Sequence, residues 1–143
     1  MPDLKFNLDV VDNWPPVNTE VVPCIKVGSN YQIDASPLFI KGLSKGDLVK
    51  VEDSEVSEII FNWEVVKESG NSTIWLLRLK GSPDIKSKLE YLRFIGCDTA
   101  SLPQYGSYSI TVPSKCFIEL VDDCLDELNE DEVAVAYPVF RHE

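Results

Sequence analysis

The stretch NYQIDASPLFIKGLSKGDLVKVED, residues 30–53, decides how the chain folds. Tyr31, Gln32 and Ile33 read as a short strand. Pro37, Leu38, Phe39 and Ile40 make an apolar turn, and a second strand begins at Leu48. Gly42 and Gly46 bracket the approach to that second strand, where a left-handed backbone would strain any residue with a Cβ. Asp47 follows Gly46 directly and is placed to accept from neighbouring backbone amides in an Asx-type turn. This is the grammar of a small β-barrel closing on itself, not of a catalytic loop.

Towards the N-terminus, Leu4, Phe6, Leu8 and Val10 alternate with Lys5, Asn7 and Asp9, the period of a half-buried strand. The run Asn13, Trp14, Pro15, Pro16 breaks regular structure, because two prolines remove donors and fix φ. Residues 20–27 read as a strand whose Pro23 places it at an edge or a bulge. Gly28, Ser29 and Asn30 then turn the chain into Tyr31. Beyond the central stretch, residues 57–67 read as one strand. Ile59, Phe61, Trp63 and Val65 lie on one face, and Glu58, Ile60, Asn62 and Glu64 on the other. Residues 69–72 (Ser-Gly-Asn-Ser) are a turn by composition. Short strands and tight turns predict a barrel-like lobe over 1–70.

From Thr73 the pattern changes. Residues 73–79 form a nearly continuous apolar strand. Ser82 is expected as an N-cap with Pro83 at the first helical position, and a helix spans 83–95 with Ile85, Leu89, Leu92 and Ile95 at helical spacing. Gly96 stops it. Residues 98–102 and 107–112 read as strands, 114–128 as a second helix with Phe117, Leu120, Val121, Cys124 and Leu128 inward, and 133–140 as a last strand. The order β-α-β-β-α-β is the ferredoxin-like arrangement, over 71–143. The fold class is therefore α+β, a small N-terminal β-barrel-like lobe packed on a C-terminal ferredoxin-like lobe, with too little chain at 69–72 for a flexible linker.

The formal charge of −11, from 24 acids against 13 bases, argues against nucleic acid or an anionic membrane as partner, since both demand a basic surface. It favours a basic partner, although solubility alone also explains it. No apolar run approaches the roughly 18 residues needed to cross a bilayer. The first residues lack the basic start and apolar core of a signal peptide, so a cytoplasmic location is expected. Cys24, Cys97, Cys116 and Cys124 are scattered with no C-x-x-C pair and read as reduced thiols, Cys116 and Cys124 both on the second helix.

Four stretches together resemble a bacterial family catalogued as domain of unknown function 4265. They are Trp14-Pro15-Pro16-Val17 with Glu20, residues 31–34 with Pro37-Leu38-Phe39, residues 42–49, and residues 69–73. Gly96-Cys97 and Val112-Pro113 also sit where that family places them. The resemblance covers nearly the whole chain and implies architecture rather than activity. At the fourth stretch the family commonly looks like Ser-Gly-His-Ser-Thr with an arginine shortly after. Here the histidine position is Asn71, and Trp75 stands near the arginine position. Any chemistry those two residues perform in relatives is lost in this chain.

The only histidine is His142, in a segment expected to fray, so no Ser-His or Cys-His pairing is expected. No P-loop and no EF-hand spacing occurs. The reading is of no enzyme, no metal and no cofactor. Trp14, Trp63 and Trp75 either form an aromatic platform or pack the interior. Trp14, held between Asn13 and two prolines, is the best candidate for an exposed anchor, with covering of the barrel end as the plainer alternative. Between residues 119 and 132 there are eight acids and no base. Glu119, Asp122, Asp123, Asp126, Glu127 and Glu130 share the outward face of the second helix. Acids near a helix C-terminus oppose the macrodipole by about 0.3–1 kcal/mol each. Like charges at i,i+4 add a few tenths. The face either merely solubilises the protein or docks a cationic partner.

The expected function is thus a non-enzymatic acidic protein-binding module. The most specific form is a bacterial immunity protein that binds and neutralises a basic toxin through the six acids and Trp14. The alternative is a regulatory module that senses a small molecule bound between the lobes.

Overall fold

The computed structural model of the chain describes residues 3–53, 56 and 58–142. Five antiparallel strands form the first sheet in chain order: β1 (Asp3–Asn7), β2 (Thr19–Val27), β3 (Asn30–Ile33), β4 (Leu48–Val51) and β5 (Trp63–Lys67). The alternation in β1 places Leu4, Phe6 and, just past its end, Leu8 in the core, but Val10 lies outside the strand and is exposed. A two-residue turn, Gly28-Ser29, joins β2 to β3 with Val27 opposite Asn30. Gly42 and Gly46 adopt φ of 76° and 90°, the left-handed backbone expected of them.

Strand β2 is interior rather than at an edge. Pro23 is tolerated because it stands where β2 changes partners: β1 pairs with it up to Pro23, and β3 pairs with it from Cys24. The segment 57–67 does not run as one strand, and its expected start at Ser57 lies outside the described residues. Only Trp63–Lys67 pairs with β4. Ile60 instead pairs in parallel with β1, donating its N–H to Lys5 (2.8 Å) and accepting from Asn7 (2.9 Å). The change of partner breaks the expected alternation: Ile60 is buried and Phe61 is 61% exposed, while Trp63 and Val65, expected on the same face as Phe61, pack on the core. The sheet curls around its apolar face but does not close into a barrel, because β1 and β5 are not paired.

The second sheet has the order β7-β8-β6-β9, again antiparallel: β6 (Ser72–Arg78), β7 (Asp98–Leu102), β8 (Ser107–Val112) and β9 (Val133–Val139). Helix α1 (Ile85–Phe94) follows β6, and α2 (Ile118–Leu125) follows β8. The cap of α1 is Asp84, not Ser82: its carboxylate accepts from the Ser87 backbone (3.1 Å) and hydroxyl (2.5 Å), which hold its pKa below the usual value. Gly96 ends the helix at φ 110°. Helix α2 begins later than the periodicity suggests. Phe117 is its N-cap and 73% exposed, Leu120 is also exposed, and the inner stripe is Val121, Cys124 and Leu125. Cys116 precedes the helix, and all four cysteines are free.

Each sheet has its own apolar cluster. Leu4, Phe6, Ile33, Leu43, Val49 and Ile60 centre the first. Ile74, Leu76, Leu92, Ile110, Val121 and Leu125 centre the second, between its sheet and the helices. Ser and Thr side chains on β6 and β8 face the other way and join the two halves.

Candidate functional site

The junction between the sheets is polar. Thr73, Ser109 and Thr111 alternate with Ile74, Ile110 and Val112 along β6 and β8, and all are buried. Thr73 shares a hydrogen bond of 2.6 Å with Ser44. Ser109 shares one of 2.6 Å with Ser36 and donates to the Pro37 carbonyl at 2.6 Å, which also accepts from the Trp75 indole at 2.8 Å. Buried hydroxyls need such partners. Thr111 Oγ1 is the exception, buried without a hydrogen bond.

Two turns converge on the fully buried carboxylate of Asp47. Oδ2 accepts from Ser44 N–H (2.9 Å), three residues earlier rather than the residue two on that an Asx-type turn uses, and Oδ1 from Ser69 N–H (2.9 Å). Arg141 adds a bidentate contact, Nη1 to Oδ1 at 2.7 Å and Nη2 to Oδ2 at 3.0 Å, which raises the guanidinium pKa further. Asn71 links the same turns to the following chain, donating to the Lys45 carbonyl (2.8 Å) and accepting from Ser114 N–H (3.2 Å).

His142 is not frayed. Ser72 Oγ accepts from Arg141 N–H (2.7 Å) and lies 2.6 Å from His142 Nδ1, while Nε2 is 2.7 Å from the Pro113 carbonyl. A carbonyl oxygen only accepts, so Nε2 donates to Pro113. A Ser–His pair therefore exists, contrary to the expectation from sequence. Ser72 is fully buried, so its hydroxyl is closed to a substrate and the pair acts as a clasp on the C-terminal segment. Among the described residues no three His, Cys, Asp or Glu side chains gather as a metal site requires.

The tryptophans converge. Val11 and Trp14 exchange backbone hydrogen bonds (2.9 and 3.0 Å) around Asp12 and Asn13, both at positive φ, a tight hairpin that the reading of this segment as a break missed. Asp and Asn side by side, which tolerate that backbone, were the available signal. The hairpin sets Trp14 edge-on to Phe39, centroids 5.9 Å apart. Glu20 holds Phe39 in place: its carboxylate accepts from Leu38 N–H (2.8 Å) and Phe39 N–H (2.9 Å), with burial raising its pKa against those bonds. Trp14, Phe39, Phe61, Trp63 and Trp75 thus line one cleft of about 650 Å³ between the sheets. A smaller pouch of about 160 Å³ shares Trp14, Phe39 and Trp75 with it.

The acidic set lies elsewhere. Glu119, Asp123, Asp126, Glu127 and Glu130 are exposed and Asp122 is half-buried, on α2 and the turn after it. The helix covers one face of the second sheet, whereas Trp14 approaches Ala134 and Ala136 on the other. The structure does not bring Trp14 and the acids together. Glu127 is paired with Lys88 of α1 at 2.5 Å. Asp122 accepts from the Tyr137 hydroxyl at 2.8 Å, and burial, reinforced by this bond, pushes the phenol up to about 12. Tyr137 also packs edge-on to Phe140, centroids 5.9 Å apart. These two aromatics, 43% exposed each on or beside the edge strand β9, were not singled out from sequence.

The family model described as "Domain of unknown function (DUF4265)" matches residues 20–136. A crystal structure of a hypothetical protein from Neisseria gonorrhoeae has the same fold, with a TM-score of 0.72 and 18% sequence identity, over 100% of this chain and 99% of that one. Comparison with curated proteins finds no match.

Proposed function

Because this chain belongs to the DUF4265 family, whose description names no activity, we propose its function from the surface it presents. It is a non-catalytic, acidic protein-binding module of the immunity-protein kind, working in the cytoplasm, which neutralises a basic toxin by covering its active site. The observation that carries this reading is a composite face. Glu119, Asp123, Asp126 and Glu130 are exposed with no ion pair among the described residues, and Asp122 of the same helix accepts from the hydroxyl of Tyr137, which packs on Phe140 at the open edge of the second sheet. Aromatic anchors inside a charged rim are what a protein interface needs, and uncompensated acids choose a cationic partner and speed its approach. The face belongs to a ferredoxin-like half, 71–143, built from β6-α1-β7-β8-α2-β9, with the curled sheet of 1–70 as its support.

The test is kinetic. A basic toxin recovered with the protein from its host is purified, and its association is followed as salt rises from 0.1 to 1 M, which shortens the Debye length from about 10 to about 3 Å. The rate should fall steeply with salt. It should also fall at least tenfold for the variant Asp123→Lys, Asp126→Lys, Glu130→Lys. Rates unchanged by either would exclude the acidic face as the docking surface.

A second reading, small-molecule sensing, is favoured by one specific observation: all three tryptophans line the cleft between the two sheets.

A further inference from the structure

We propose that this cleft holds a planar aromatic small molecule bearing one acidic and one basic substituent, the chemical class of an aromatic amino acid. The inference rests on the sensing reading and gives it a ligand. Size comes first. The cleft of about 650 Å³ lies within the ~300–1,000 Å³ range of ligand sites, and the neighbouring pouch, lined also by Leu38, Leu77 and Tyr108, shares Trp14, Phe39 and Trp75 with it.

The walls select a ring. Trp14 and Phe61 remain 44% and 61% exposed, so these large side chains leave much apolar surface uncovered although both line the same concavity. Trp14 and Phe39 already meet edge to face, the geometry in which a third ring continues the contacts at centroid distances of about 4.5–7 Å. Trp75 is held rigid by its bond to Pro37, so its ring is a fixed wall.

The charges select the substituents. Asp9 and Lys41 line the same cleft, both exposed and without an ion pair among the described residues. One of each sign faces the ligand. The net charge of −11 would repel a simple aromatic acid, and Lys41 would oppose a simple aromatic amine. A zwitterion carries no net charge into this field and offers a partner to each residue.

Calorimetric titration of the full chain with indole and with L-tryptophan tests this. Both ligands should bind at 1:1, tryptophan about fivefold tighter, since two exposed charge contacts add modestly to ring burial. The pair of substitutions Asp9→Asn and Lys41→Gln, both at exposed positions, should bring the two affinities within twofold. Trp14→Ala should weaken both ligands about tenfold. Should Trp14→Ala fail to give a native circular dichroism spectrum, Lys41→Glu replaces it, with selective loss of tryptophan binding expected. If indole binds and tryptophan is no tighter, the zwitterion inference falls and the sensing reading survives. If neither binds saturably, or Trp14→Ala binds both as well as the parent protein, both fall.

Discussion

Arg141 lays two guanidinium nitrogens against the fully buried carboxylate of Asp47, at 2.7 and 3.0 Å. The same carboxylate holds the turns at Ser44 and Ser69, so the bond ties the C-terminal segment to the hinge between the two sheets. Removing one member of a buried pair leaves the other charge without compensation. Arg141→Ala should therefore lower stability by about 3 kcal/mol, read from urea unfolding. A loss within about 0.5 kcal/mol would mean the pair is solvated in solution.

Gly46 and Gly42 separate backbone strain from crowding. Both have positive φ, but a Cβ at Gly46 would come within 2.8 Å of Ser69 Cβ, whereas nothing lies within 4 Å of one at Gly42. Gly42→Ala should cost about 1 kcal/mol from φ alone. Gly46→Ala should cost clearly more, and equal urea midpoints for the two variants would refute the crowding.

Thr111 Oγ1 is buried without a partner. A buried hydroxyl that makes no bond costs roughly 1–3 kcal/mol, and valine has nearly the same shape. Thr111→Val should raise the melting temperature. A lower one would show that the hydroxyl is satisfied after all.

Much of this architecture is legible in the sequence, and each failure has its own physical cause. Alternation found Leu4 and Phe6 because β1 pairs in unbroken register with β2 along its whole length. It grouped Phe61 with Trp63 and Val65, and Ile60 with Glu64, which fails because residue 60 pairs with β1 while Trp63 pairs with β4, and no local pattern announces a change of partner. Ser82 and Asp84 are both good caps; the bonds to Ser87 decide between them. The expected inner stripe of α2 fails at Phe117, which is the N-cap outside the helix, and at Leu120, because the buried stripe runs through Val121, Cys124 and Leu125. The acids were legible as a run. The cleft was not, since Trp14, Trp63 and Trp75 lie on three segments that only the packing of the sheets brings together.

Burial pushes the Cys24 and Cys97 thiols up to about 12 from 9.0, with Cys116 adding to the effect at Cys97. A folded-state pKa above the unfolded value favours the protonated form in the fold. This stability is complete below about pH 9 and is lost as the pH rises towards 12. Unfolding free energy should decline over that window, with the Tyr137 phenol contributing from about pH 10. A Cys24→Ala, Cys97→Ala variant should lose less between pH 9 and 11, and a decline as steep as the parent's would assign the alkaline loss to other groups.

The end of α2 separates a docking face from an ordinary surface through stability. Asp126 caps the helix C-terminus, where its charge opposes the helix dipole, and it stands four residues after Asp122. Glu127, beside it, is relieved by Lys88, whereas Asp126 has no such cation among the described residues. Asp126→Lys should therefore stabilise the protein by about 0.3–1 kcal/mol, an effect that shrinks as salt rises. Asp122→Lys makes a useful contrast. It relieves the same repulsion but loses the hydroxyl bond from Tyr137, so its gain should be smaller or absent. An acidic residue retained where lysine is more stable is held there by something other than folding. If Asp126→Lys instead destabilises the protein in thermal unfolding at low salt, the acids contribute to the fold, and the argument that they serve a partner loses its premise.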